Sequence, residues 1–160
     1  MAIFRKKQSD PPADGGSGDG GGGGDFVPQP EKARTWFEYA KAAADSSNYD
    51  YALTCYANGI KLDPGAMSAH EAMLAAGGNY VRSGGKPAGG KELKNIGDGS
   101  DIAKFAAAEF AWMKDLENGG LALKALAAAV KADQREFGNW IASRVLLLLR
   151  KGKKLSLIHI

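Results

Sequence analysis

Apolar residues along this chain recur at helical spacing from about residue 31 onward. Ala33, Trp36, Phe37, Ala40, Ala43 and Ala44 follow the i, i+3, i+4, i+7 rule and predict a first helix ending near Ser46. After the break at Ser47 and Asn48, Tyr49, Ala52, Leu53, Tyr56 and Ile60 predict a second, which Pro64 and Gly65 stop. With so short a break, the two form an antiparallel hairpin. A third helix runs from Met67 to about Arg82, softened by Gly77 and Gly78. A fourth, with Asp101 as its cap, carries Ile102, Phe105, Ala106, Trp112, Met113 and Leu116 and stops at Asn118, Gly119 and Gly120. Ala122, Ala125, Leu126, Ala129 and Val130 predict a fifth, and Phe137, Trp140, Ile141, Val145 and Leu148 a sixth beginning near Glu136. No stretch has strand alternation, so the fold class is all-α.

Between these helices the composition changes. Residues 8–30 hold eight glycines and four prolines and little that could bury surface, so 1–30 is expected to be a disordered tail, with Phe26 and Val27 packing loosely on the first helix. Residues 83–100, SGGKPAGGKELKNIGDGS, read as a glycine-rich insertion loop with at most a helical turn around 91–95 and no role in the core. The helical parts are therefore 31–82 and 101–154. The last six residues, LSLIHI, resemble the translated transposon-end adapter of sequencing libraries, so 155–160 is set aside as an artefact. The VLLLL run makes the last helix apolar on nearly every side, as for a helix awaiting a neighbour, so the chain is expected to be the N-terminal fragment of a longer protein.

Shifting the chain along itself exposes a repeat. YALTCYANGIKLDP lies over LALKALAAAVKADQ at an offset of 70, with Ala52 over Ala122, Tyr56 over Leu126 and Ile60 over Val130. Trp36 lies over Trp140 at 104. Both offsets are two residues over a multiple of 34, the period of tetratricopeptide arrays. In that light Trp36, Ala40, Tyr49, Ala52, Tyr56 and Pro64 resemble the packing residues of the tetratricopeptide repeat (TPR) family, with Ala122, Leu126 and Trp140 as later counterparts. Gly59, Gln134 and Arg144 depart from its pattern. The resemblance implies a short α-solenoid of stacked antiparallel hairpins in which 31–82 is one repeat plus the first helix of the next.

It also implies a function. Such arrays present a groove, lined mainly by the first helix of each repeat, to a peptide or protein. The corresponding groove residues are Arg34, Phe37, Glu38 and Lys41 on the first helix and Ser68, Glu71 and Ala75 on the third. The lysine and asparagine clamp with which some members hold a C-terminal carboxylate is not reproduced, because Phe37 and Lys41 stand in those places.

Charge and candidate chemistry alter this little. Lysine plus arginine number 21 against 18 aspartate plus glutamate, a formal +3, which is no dense basic stripe for nucleic acid. Arg150, Lys151, Lys153 and Lys154 are expected at a helix C-terminus, where cations favour the helix dipole. The start, MAIFRKKQ, lacks the apolar segment of a secretory signal, and no run approaches the roughly 18 apolar residues of a membrane span. One cysteine, Cys55, suits a reducing compartment and rules out an internal disulfide framework.

GKPAGGKE, residues 85–92, has the spacing of a phosphate-binding loop, but Glu92 stands where a Ser or Thr would hold magnesium. His70 and Cys55 are expected to be packing residues, and Glu109, Asp115 and Glu117 solvated surface. The resulting expectation is a cytoplasmic, bacterial, non-catalytic protein-interaction scaffold. It would have no cofactor, metal, nucleic-acid or membrane partner, and an unidentified protein or peptide as its ligand. The alternative is a recruitment module of a larger enzyme or membrane-associated protein.

Overall fold

The computed structural model describes residues 26–97 and 99–158, with side-chain environments through Gly152. The expected tail, over 1–25, and the adapter-like segment, in its side chains, lie outside the described residues. Seven helices and no strand occur among the described residues: α1 (Pro30–Asp45), α2 (Tyr49–Leu62), α3 (Met67–Arg82), α4 (Gly90–Ile96), α5 (Asp101–Met113), α6 (Gly119–Lys131) and α7 (Arg135–Ile158). None of them is long and apolar enough to cross a membrane.

Local sequence explains the boundaries. Pro30 opens α1, where its missing N–H is no loss. Asn48 caps α2 by accepting from the Tyr51 amide. The cap of α5 is Ser100, which accepts from the Ala103 amide; Asp101, expected there, is instead the first helical residue, where its charge still favours the helix N-terminus. The same helix ends at Met113, earlier than expected. Asn118 starts the next helix by accepting from the Leu121 amide, and Gly119 and Gly120 form its first turn.

Three helices end in one backbone device. After α1, α3 and α6 a residue takes the left-handed conformation: Ser47 (φ 61), Gly84 (φ 81) and Asp133 (φ 56). The next amide, of Asn48, Gly85 or Gln134, then donates to the carbonyl five residues back at 2.8–3.0 Å. α2, which the 70-residue offset lays over α6, ends without this turn, and in that offset Ile60 is fully buried where Val130 is 72 % exposed.

The core sits around α5. Ile102, Ala103, Phe105, Ala106, Phe110, Ala111, Trp112 and Met113 are all buried, so this helix is apolar nearly all round and is enclosed by its neighbours. It packs on α2, α3, α4 and α6, while α1 packs on α2 and α6 on α7. Alanines line the hairpin seams: Ala33, Ala40 and Ala43 on α1, Ala52 and Ala57 on α2, and Ala122, Ala125 and Ala129 on α6. Without a long side chain between them, the helices approach closely.

Two glycines belong to this close approach. The Phe37 ring fills the space that a Cβ at Gly59 would need, which is why glycine stands where the repeat pattern has alanine. A Cβ on Gly77 would lie 2.7 Å from the Met113 carbonyl oxygen, so this glycine lets the α3 and α5 backbones meet instead of merely softening α3.

The insertion after α3 does enter the core, contrary to the expectation from its composition. Ile96 at the end of α4 is 4 % exposed and Leu93 packs beside it. α7, in turn, runs past the basic residues to Ile158, so Arg150 and Lys151 lie within the helix and not at its C-terminal turn. The outer side of the C-terminal hairpin is partly apolar, with Leu123, Val130, Leu146 and Leu147 exposed.

Candidate functional site

The candidate groove residues divide. Arg34, Glu38 and Lys41 on α1 and Ser68, Glu71 and Ala75 on α3 are exposed. Phe37 is half-buried, its ring against Gly59 and 6.4 Å from the Tyr56 ring, so it packs in the α1–α2 seam. The repeat-packing residues Ala40, Ala52, Tyr56, Pro64 and Ala122 are buried, while Trp36, Tyr49, Leu126 and Trp140 are half-buried.

The side chains best suited to chemistry face inward. Cys55 is fully buried on α2, and burial pushes its thiol above its ordinary value, so it is a poor nucleophile. His70 is also fully buried. Its Nδ1 lies 2.7 and 2.9 Å from the two carboxylate oxygens of Glu109, and its Nε2 donates to the Pro64 carbonyl at 2.7 Å. Glu109, expected at the surface, is fully buried as well.

This placement follows from helix geometry. Ile102, Phe105, Glu109 and Met113 form one stripe of α5 at helical spacing, so the carboxylate occupies a core position. Phe137 of α7 stacks 4.8 Å from the imidazole and Phe105 lies 5.8 Å away, sealing the pair from water. A lone carboxylate there would cost several kcal/mol of lost hydration, which only a hydrogen-bonded partner can offset.

Burial alone would lower the pKa of His70. The Glu109 charge and hydrogen bond, helped by the Pro64 carbonyl and Asp63, outweigh it and raise the group above 6.5. For Glu109, burial raises the carboxyl above its usual range and the histidine offsets only part of the shift.

A second buried polar group was not apparent from the sequence. Lys114, 2 % exposed, donates to Asp50 at 2.6 Å and to Glu92 at 3.1 Å, and its ammonium lies 5.0 and 4.8 Å from the centres of the Tyr80 and Phe110 rings. Burial opposes its charge, but the two carboxylates prevail and its pKa is raised. One ammonium thus ties α2, α4 and the end of α5 together. Glu92 also accepts from the Gly89 amide at 3.0 Å, so the residue that spoils the phosphate-loop pattern has a structural place.

The other candidates remain apart. Glu117 is exposed and Asp115 half-buried, accepting from the Asn118 side chain. A half-open cleft of 390 Å³ between the α5–α6 turn and α7 is lined by Glu117, Gly119, Gly120, Leu148, Leu149 and Lys151, with charges of both signs. Among the described residues, no group of three or more His, Cys, Asp or Glu side chains is arranged to hold a metal. No family model, curated protein or solved structure matches this chain.

Proposed function

We propose that this chain is a non-catalytic protein-interaction scaffold of tetratricopeptide type, taking a protein or peptide on the exposed faces of α1 and α3. The observation that carries the reading is the inward placement of four side chains suited to chemistry among the described residues. Cys55, His70, Glu109 and Lys114 are all buried, and the last three are bonded to protein partners. Chemistry on a substrate needs such groups at a surface or cleft, whereas binding needs exposed side chains.

Arg34, Glu38 and Lys41 on α1, with Ser68 and Glu71 on α3, supply charges and hydroxyls of mixed sign, suited to a polar peptide. The exposed leucines of the C-terminal hairpin add apolar surface of a kind that protein contacts use. The lone buried cysteine accords with the reducing cytoplasm.

The test is affinity capture with the full chain, using the double charge reversal Arg34→Glu, Lys41→Glu as the control. A protein retained by the wild type and lost by the control supports the scaffold. Capture of no protein, together with substrate turnover by the purified chain, overturns it.

A further inference from the structure

The His70–Glu109 pair joins α3, α5 and the turn at Pro64 through a countable number of protons. The Pro64 carbonyl can only accept, so the Nε2 facing it at 2.7 Å carries a proton. The other ring nitrogen faces a carboxylate at 2.7 and 2.9 Å, and that contact is a hydrogen bond only if one proton lies between them. The proton can sit on Nδ1, giving an imidazolium and a carboxylate, or on Glu109, giving two neutral groups. Either way the pair is electrically neutral. Its removal leaves an Nδ1 lone pair pointing at a buried carboxylate, with no donor between them.

No neighbouring group takes over that role. From α5 the pair meets Glu109 itself and the Phe105 ring; from α7 it meets the uncharged Phe137 ring. Asp63, in the turn before α3, adds a further negative charge. Glu71, Lys104, Arg135 and Glu136, on the same three helices, are exposed.

We propose that His70 and Glu109 form a one-proton latch, which holds α3 to α5 and seats Phe137 of α7 while the proton is shared, and releases them when it leaves. The direction follows from linkage. In the unfolded chain the histidine and carboxyl titrate near their ordinary 6.5 and 4.5, so just below 6.5 that chain carries one proton, as the folded pair does. Above 6.5 the unfolded histidine loses its proton while the folded pair, both of whose groups are raised, keeps one. Stability is therefore full below 6.5 and is lost as pH climbs towards the folded value. One proton limits the slope to tenfold in the folding constant per pH unit.

The isosteric Glu109→Gln variant separates this latch from plain packing. Its carboxamide N–H can donate to the Nδ1 of a neutral His70, which satisfies the contact without the shared proton. Its pH dependence then changes sign: stability rises with pH through 6.5, because only the unfolded histidine takes up a proton below it, and is level above.

The experiment is denaturant unfolding of the full chain and of Glu109→Gln between pH 5 and 8.5, compared as a difference so that every other titrating group cancels. The latch predicts that the wild-type folding constant falls relative to the variant by up to tenfold per pH unit above 6.5. Equal slopes overturn it. Should the variant fail to fold, imidazole ¹⁵N spectra of the wild type decide. Loss of the shared proton above pH 6.5 supports the latch, and an imidazole that becomes neutral at or below 6.5 contradicts it.

Discussion

The two buried polar sites on α5 are five residues apart and differ in one respect that governs both. At Glu109 each partner is sealed: His70 and the carboxylate are fully buried, with phenylalanine rings against the imidazole. At Lys114 only the cation is buried, since the Asp50 and Glu92 side chains are 62 % and 44 % exposed. Water can therefore replace either carboxylate at the second site, and salt screens it. Nothing can replace either partner at the first. A sealed pair stabilises by being complete, and a rim pair stabilises only modestly but fixes where a segment lies. Accordingly the first joins α3, α5 and α7, and the second fastens the short α4 to α2 and α5.

The largest effect is expected from breaking the sealed pair on one side. Glu109→Ala leaves the imidazole without its carboxylate and opens a cavity, and should cost about 3–5 kcal/mol in denaturant unfolding at pH 6. A loss below 1 kcal/mol would show that water reaches the site. Between the two sites the α3 and α5 backbones touch at Gly77, so Gly77→Ala should cost about 1–3 kcal/mol by overpacking. Gly138 on α7 is the matched control. A Cβ there would meet Leu126 at an ordinary 3.6 Å, and Gly138→Ala should stabilise by about 0.5–1 kcal/mol through helix propensity.

The smallest global effect belongs to the rim. Lys114→Met keeps the stem's packing and frees two carboxylates into water, so unfolding should change by about 1 kcal/mol or less. Its signature is local: amide hydrogen exchange over Gly90–Ile96 should quicken while α5 stays protected. Equal loss of protection in both would mean that α4 is not held by this ammonium.

Much of the architecture was legible because its punctuation is local. Pro30, Asn48, Pro64 with Gly65, and Arg82 bracket the first three helices within a residue or two of where they lie. The polar sites were not legible, because burial of a charge depends on partners distant in the chain. Glu109 and His70 are 39 positions apart, and Lys114 and Asp50 are 64 apart. A signal was present nonetheless, since Glu109 interrupts the Ile102, Phe105, Met113 stripe of a helix that is apolar nearly all round. The insertion 83–100 was misjudged for a related reason. Its glycine-rich composition reflects turns such as those at Gly84 and Gly99, while Glu92 and Ile96, four residues apart, between them bring one helical turn into the core and its rim. The exposure of Arg34, Glu38, Lys41, Ser68, Glu71 and Ala75 was legible by register, and the half-burial of Phe37 was not, because the space at Gly59 draws its ring inward.

The central claim is that the buried reactive groups hold the fold while exposed side chains bind. Partner capture at pH 6.5 by three full-length proteins tests it most directly: wild type, Glu109→Gln, and the double reversal Arg34→Glu, Lys41→Glu. Glu109→Gln is expected to retain the captured protein at the wild-type level, and the reversal to retain at most a tenth of it with an unchanged melting temperature. Retention by the reversal, with loss by a folded Glu109→Gln, would contradict it and place the function at the buried pair.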